Sequence, residues 1–254
     1  MKSHQSKYAL LATLLLAGHV SASTFFDDFN RPDSSTVGNG WLNATATTSG
    51  DVGTFQIQNN EATFITTANA SAAIYRPADF SGSFTIDATL KETNGFGGLT
   101  NRYDQYITIF NDGTIGHGYG LNIGRSDSIS NNSYITLLDG TNALSTILSP
   151  FQFGSAIDTH VTFSPDGSVV GSISQGTSQF DFSFGSHTIQ SSGTNFLYSA
   201  VSPDNSSVNS LFPRIDNITL TSIPTPEPSS TLLVVSGVVL CLRRRTLRTN
   251  DRNG

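Results

Sequence analysis

The chain has 254 residues, with 13 Lys plus Arg against 19 Asp plus Glu and a formal net charge of −6. Its single cysteine, Cys241, stands near the C-terminus, so the central part can have neither a disulfide nor a thiolate metal site. Two basic residues precede residue 23 and five follow residue 242. That leaves Arg31, Arg76, Lys91, Arg102, Arg125 and Arg214 against 18 acidic residues, an excess of about 12 negative charges that excludes nucleic acid and anionic membrane surfaces as partners of this part.

Residues 1–22 carry Lys2 and Lys7, then the apolar run from Tyr8 to Ala17, then Val20-Ser21-Ala22. A basic start, a ten-residue apolar stretch and small residues at the end read as a secretory signal peptide, cut by signal peptidase after Ala22. The run is too short to span a bilayer as a stable helix.

From residue 23 to 223 the sequence reads as one domain made almost entirely of strands. Short runs rich in Val, Ile, Thr, Phe and Tyr are cut by Gly, Asn, Asp and Pro. Thr54–Gln58 and Glu61–Ile65 alternate apolar and polar around Asn59-Asn60, a pair suited to the positive φ of a tight hairpin. His160–Phe163 and Ser168–Ile173 flank the turn Pro165-Asp166-Gly167. Further strands are expected at Ser83–Leu90, Gln105–Phe110, Tyr119–Ile123, Tyr134–Leu138, Gln179–Phe184 and Ile215–Leu220. So many short strands, with no helical periodicity between them, predict an all-β, two-sheet antiparallel sandwich.

The two ends of this region are its most distinctive parts. Phe25-Phe26-Asp27-Asp28-Phe29-Asn30-Arg31-Pro32-Asp33, followed by Gly38-Asn39-Gly40-Trp41, resembles the opening of concanavalin-like, laminin-G-like jelly-roll domains of secreted bacterial proteins. Arg214-Ile-Asp-Asn-Ile-Thr-Leu220 resembles their last strand, which pairs beside the first. The resemblance implies a fold more than an activity, because this sandwich carries lectins, carbohydrate-binding modules, glycosidases, lyases and adhesive domains alike.

Chemistry is hard to find. A sandwich glycosidase needs two carboxylates about 5 to 10 Å apart, often on a Glu-x-Asp-x-Glu strand. Only Glu61 and Glu92 precede the C-terminal segment, and neither has an acidic residue two positions away. His117, His160 and His187 lack metal-site spacing, and there is no Gly-x-Ser-x-Gly elbow. A lyase could use His117 with Arg102, Tyr103 and Tyr106, but a solvated loop histidine is much the simpler account of His117. The expectation is therefore a non-catalytic protein, with a polysaccharide hydrolase or lyase as the rival.

Aromatic side chains stack on the apolar faces of sugar rings. Trp41, Tyr75, Tyr103, Tyr106, Tyr119, Tyr134 and Tyr198 are the candidates, Trp41 being expected as a core plug. Tyr103 and Tyr106, with Arg102 in the turn-rich segment Gly97–Asp104, form the expected polysaccharide site. If the first and last strands pair, Asp27, Asp28, Asp216 and Asn217 converge as hard oxygen ligands that could take calcium; no other cofactor is expected.

Residues 224–254 hold three signals in order: Pro224-Thr-Pro226-Glu227-Pro228, an apolar run from Thr231 to Leu242, and Arg243-Arg244-Arg245. Twelve residues make about 18 Å of helix against a hydrocarbon core of about 30 Å, too short for a comfortable permanent anchor. The arginines would stay cytoplasmic, leaving Pro226-Glu227-Pro228 on the far side of the membrane. This arrangement resembles the PEP-CTERM sorting tail of exported bacterial proteins. The resemblance implies an exosortase-type transpeptidase as partner, a transient membrane anchor, and a final place at the cell surface or in the extracellular matrix. Protein recovered from the cell envelope is accordingly expected to lack the residues beyond Pro228. Intact-mass measurement checks this, and mature material that keeps its arginine cluster would contradict it.

Overall fold

The computed structural model describes residues 22–44, 51–65, 70–91, 104–125, 133–151, 156–202 and 213–224. The signal segment, the sorting segment with its Pro-Glu-Pro and arginine cluster, and both Arg102 and Tyr103 lie outside the described residues, apart from Ala22 and the backbone of Pro224.

Period-two alternation builds the elements. In Gly82–Lys91, Phe84, Ile86, Ala88 and Leu90 are buried while Thr85, Asp87 and Thr89 are half-exposed, so a single strand presents one face to the core and one to water. Among the described residues the strands are β1 (Ser23–Asp27), β2 (Leu42–Asn43), β3 (Asp51–Val52), β4 (Thr54–Gln58), β5 (Glu61–Ile65), β6 (Ala70–Pro77), β7 (Gly82–Lys91), β8 (Asp104–Asn111), β9 (Tyr119–Arg125), β10 (Ser133–Asp139), β11 (Asn142–Ser149), β12 (Ile157–Phe163), β13 (Val169–Gln175), β14 (Ser178–Phe184), β15 (Asn195–Ser202) and β16 (Arg214–Pro224). No helix occurs among them.

The strands form two sheets. The first runs β14-β13-β12-β7-β16-β5-β4, with β1 added on β16; the second runs β11-β10-β9-β8-β15-β6-β2, with β3 parallel to β6. Phe55, Phe64, Phe84 and Phe163 from the first sheet meet Ile107, Tyr119, Phe196 and Tyr198 from the second in one apolar core. The result is the two-sheet antiparallel sandwich expected from the sequence. Strands β2, β3, β6, β11 and β15 go beyond those expected, and each is very short, lacks an obvious signal or has a mixed one. β6 is Ala-Ser-Ala-Ala-Ile-Tyr-Arg-Pro, and β11 is largely exposed along its length.

The turns follow the expected chemistry. Asn59 and Asn60 adopt φ of 54° and 61° between β4 and β5, the left-handed values an Asn pair tolerates. In the β12–β13 turn the Asp166 carboxylate accepts hydrogen bonds from the Ser186 and Ser168 hydroxyls and the Ser168 amide, which hold its pKa down to about 2.

The first strand lies beside the last, Phe26 opposite Thr219 and Asp27 opposite Ile218. Asp27 points inward and is only 2% exposed. Its carboxylate accepts two bonds from the Arg31 guanidinium (2.7 and 3.0 Å), one from Trp41 Nε1 (2.9 Å), one from Asn39 Nδ2 (3.1 Å) and one from the Phe29 amide (2.9 Å). Burial alone would raise its pKa. Arg31, the Phe29 amide, Asn39 and Trp41 together reverse this and hold the carboxyl below its ordinary value of 3.8. A folded-state value below the unfolded one stabilises the protein above the unfolded pKa, and that contribution is lost as pH falls through the folded value. The Tm should therefore fall as pH drops below about 4. Asp27→Asn removes the buried charge from Arg31 and should cost about 3 kcal/mol at neutral pH while weakening this acid dependence. Melts of both proteins across pH check it, and equal stability of the two would contradict the assignment.

Candidate functional site

The outer face of the second sheet, turned away from the core, gathers side chains that a sequence separates widely. Register places Tyr134, Gly124 and Asp104 in one row across β10, β9 and β8, and Thr136, Asn122, Tyr106 and Ser199 in the next, across β10, β9, β8 and β15. A third row carries Thr108, Leu197 and Tyr75 on β8, β15 and β6. Period two explains why Asp104 and Tyr106 share this face while Gln105 and Ile107 turn inward.

Asp104 is the centre of the arrangement. It is 3% exposed, yet a buried carboxylate is costly unless its oxygens are bonded. Tyr134 donates its hydroxyl to Oδ1, Asn122 donates Nδ2 to the same oxygen (3.3 Å), and Tyr106 donates its hydroxyl to Oδ2 (3.3 Å). Asn122 is 4% exposed, and its Oδ1 has no hydrogen-bond partner. Gly124 makes this packing possible, because a Cβ there would run into the Asp104 carboxylate and the Tyr134 ring. Towards β6 the face turns apolar, where Ala44, Ala73 and Leu197 pack with Tyr75 and Ile115.

The expected aromatic platform is thus divided. Trp41, Tyr119 and Tyr198 belong to the core. Burial, with Asp139 and Asp166 nearby, pushes the Tyr119 hydroxyl up to about 12. Tyr75, Tyr106 and Tyr134 share the outer face of the second sheet at half-buried positions. Asp104 and Asn122 were not legible as site residues, since only the strand register shows that they meet.

The four residues expected to converge on calcium are not brought together. The Asp27 carboxylate is committed to Arg31, Asn39, Trp41 and the Phe29 amide. Asp28 bonds the Asn30 amide, Asp216 pairs with Lys91 at 3.0 Å, and the Asn217 amide donates to Thr89. Calcium takes six to eight oxygens, and no group of three or more His, Cys, Asp or Glu residues among the described residues could hold a metal. The described residues therefore do not fit the cation at that place.

The first sheet's outer face is of another kind. A cavity of about 180 Å³ over β7, β12 and β13 is lined by Asp87, Thr89, Asp158, His160, Ser172 and Ser174. Its polar groups bond one another, His160 to Asp87 (2.5 Å) and Thr89 to Asp158 (2.6 Å).

Solved structures of the concanavalin-like class share this fold. Peanut lectin with a nine-residue peptide superposes with a TM-score of 0.56 at 8% identity, over 81% of this chain and 99% of that one. The Emp47p carbohydrate recognition domain gives 0.55 at 14% identity, over 78% and 93%. The endo-1,3-beta-glucanase of Streptomyces sioyaensis gives 0.55 at 12%, over 82% and 99%. No family model and no curated protein matches the sequence.

Gly124→Ala should force Asp104 and Tyr134 apart and cost about 1 to 3 kcal/mol. Gly185→Ala, where a Cβ meets nothing within 4 Å, is the control. Denaturant unfolding compares the two, and equal stability would contradict the packing described.

Proposed function

We propose that this chain is an exported, envelope-sorted, non-catalytic protein that contacts polysaccharide through the outer face of its second sheet. The observation that carries the reading is the placing of Tyr106 and Tyr134 against Asp104, with Asn122 beside it, on a sheet face that Tyr75 shares further along. Sugars offer apolar ring faces to aromatic side chains and hydroxyl donors to carboxylate and amide oxygens, and both kinds of group stand here side by side. Fold relatives named as lectins and as a carbohydrate recognition domain support the same ligand class. The excess of negative charge favours a neutral or amino-sugar polymer over an acidic one. Export, processing by signal peptidase and an exosortase-type enzyme, and residence at the cell surface or in the matrix rest on the segments 1–22 and 224–254.

The rival is a hydrolase or lyase, favoured by the glucanase among the fold relatives. Glycoside hydrolysis ordinarily takes a pair of carboxylates. Asp104 is the one carboxylate that the described strands place on this face, which supports binding over turnover.

Affinity electrophoresis through gels containing neutral and amino-sugar polysaccharides tests the reading. Retardation is expected, with Tyr106→Ala weakening it by about 0.5 to 1.5 kcal/mol and Val170→Ala on the other sheet leaving it unchanged. Unretarded migration in every gel would remove sugar binding. Release of oligosaccharides in a parallel incubation would establish the enzyme instead.

A further inference from the structure

The free edges of the two sheets are unequal. At one end of the first sheet, the outer edge of β4 is occupied by Ser34, whose amide and carbonyl bond the carbonyl and amide of Ile57 (both 3.0 Å). At one end of the second sheet, β6 is covered by the two-residue strands β2 and β3. At the other ends stand β14 and β11. β14 carries Asp181 at its middle, so a second copy laid antiparallel against it would bring two carboxylates together. Such a charge is the usual protection of an exposed edge.

β11 has no such protection. Asn142-Ala-Leu-Ser-Thr-Ile-Leu-Ser149 holds no charged residue although the domain around it is strongly acidic. Among the described residues its one strand neighbour is β10. Leu148 is 67% exposed, the highest value among the large apolar side chains described, and Leu144 is 40% exposed. Leu144 is the extra residue of a bulge opposite Leu137 and Leu138, which leaves Ser145–Ser149 as the regular, pairable stretch.

We infer that β11 is a self-pairing edge, where a second copy of this chain adds its own β11 antiparallel about a two-fold axis through Ile147 and normal to the sheet. This axis keeps every residue on its own face. Ile147, already packed against the core, meets the partner's Ile147. On the outer face each Leu148 lies opposite the partner's Thr146 and diagonal to the partner's Leu144 and Leu148. Ser145 and Ser149 complete the ladder, and no like charges meet. The contact is isologous and closed, so it makes dimers rather than fibres. It also continues the second sheet across two copies and turns both outer faces to the same side. On the function proposed above, two sugar-contacting faces would then engage one polymer together, and avidity would raise the effective affinity.

Analytical ultracentrifugation of the purified full chain over about 1 to 100 μM, concentrations that bracket a micromolar Kd, tests this. A concentration-dependent dimer is expected. Leu148→Lys and Thr146→Lys, both at exposed positions, should raise its Kd at least about tenfold, Leu148→Lys while keeping the wild-type melt, whereas Val170→Lys on the first sheet should not. A wild-type protein that stays monomeric overturns the inference. So does a dimer indifferent to both β11 lysines, or one lost only when the residues beyond Pro228 are removed, which would put the contact in the tail. None of these outcomes depends on sugar binding.

Discussion

A carboxylate taken out of water has to be met at its lone pairs, and Asp27 is met by five N–H groups from four residues within fourteen positions of it. That demand fixes the segment between β1 and β2. Phe29 takes a φ of 50°, a left-handed value a phenylalanine rarely adopts, where its amide reaches Asp27 Oδ1 and its ring enters the core fully buried. Arg31 is held from both sides, its Nε donating to the Val37 carbonyl. Trp41 is held by its indole N–H, and its ring then bridges the sheets, 5.9 Å from Phe25 of β1 and 6.0 Å from Phe196 of β15. Arg76 lies over Phe25 and near Trp41, a guanidinium whose pKa is lowered by burial against the opposing pull of Asp27. One buried charge thus couples the first strand, the connection after it and the contact between sheets.

The same segment shows how a sequence can be read correctly for fold and incorrectly for chemistry. Asp27-Asp28-Phe29-Asn30-Arg31 marks the start of the sandwich, and β1 does pair with β16. Two adjacent aspartates near Asp216 and Asn217 also look like cation ligands. Whether a carboxylate faces a metal or an arginine depends on where the guanidinium four residues on is placed, and no spacing rule gives that. Strands with clean alternation, such as β4 and β7, were legible because their periodicity is a direct imprint of one buried face. β11 was not, because an edge strand half in water has less to bury and so less pattern.

Site residues divide on the same principle. Tyr106 and Tyr134 could be picked from the sequence as polar-tipped aromatics, whereas Asp104 and Asn122 could not, being eighteen residues apart and joined only through the β8–β9 register. Gly124 was the readable hint: a glycine inside a strand marks a close approach, here of Asp104 and Tyr134 from the neighbouring strands.

The two outer faces differ in the kind of group they carry. On the first sheet Glu61 is bonded by Lys91 at 2.6 Å and Arg214 at 3.1 Å, Lys91 also reaches Asp216, and His160 pairs with Asp87, so charges close on each other across β5, β16, β7 and β12. Burial would raise the Glu61 pKa, but Lys91 and Arg214 hold it below the ordinary range. Such a ladder stabilises strand order, although Thr63 Oγ1 and Arg214 Nε beside it are buried without a hydrogen-bond partner. The second sheet is built otherwise. Among the described residues its outer face carries one carboxylate, Asp104, with tyrosine rings beside it, and the Asn122 Oδ1 has no hydrogen-bond partner. On the reading proposed above, the unsatisfied acceptor Asn122 Oδ1 is the atom to which a sugar hydroxyl would donate.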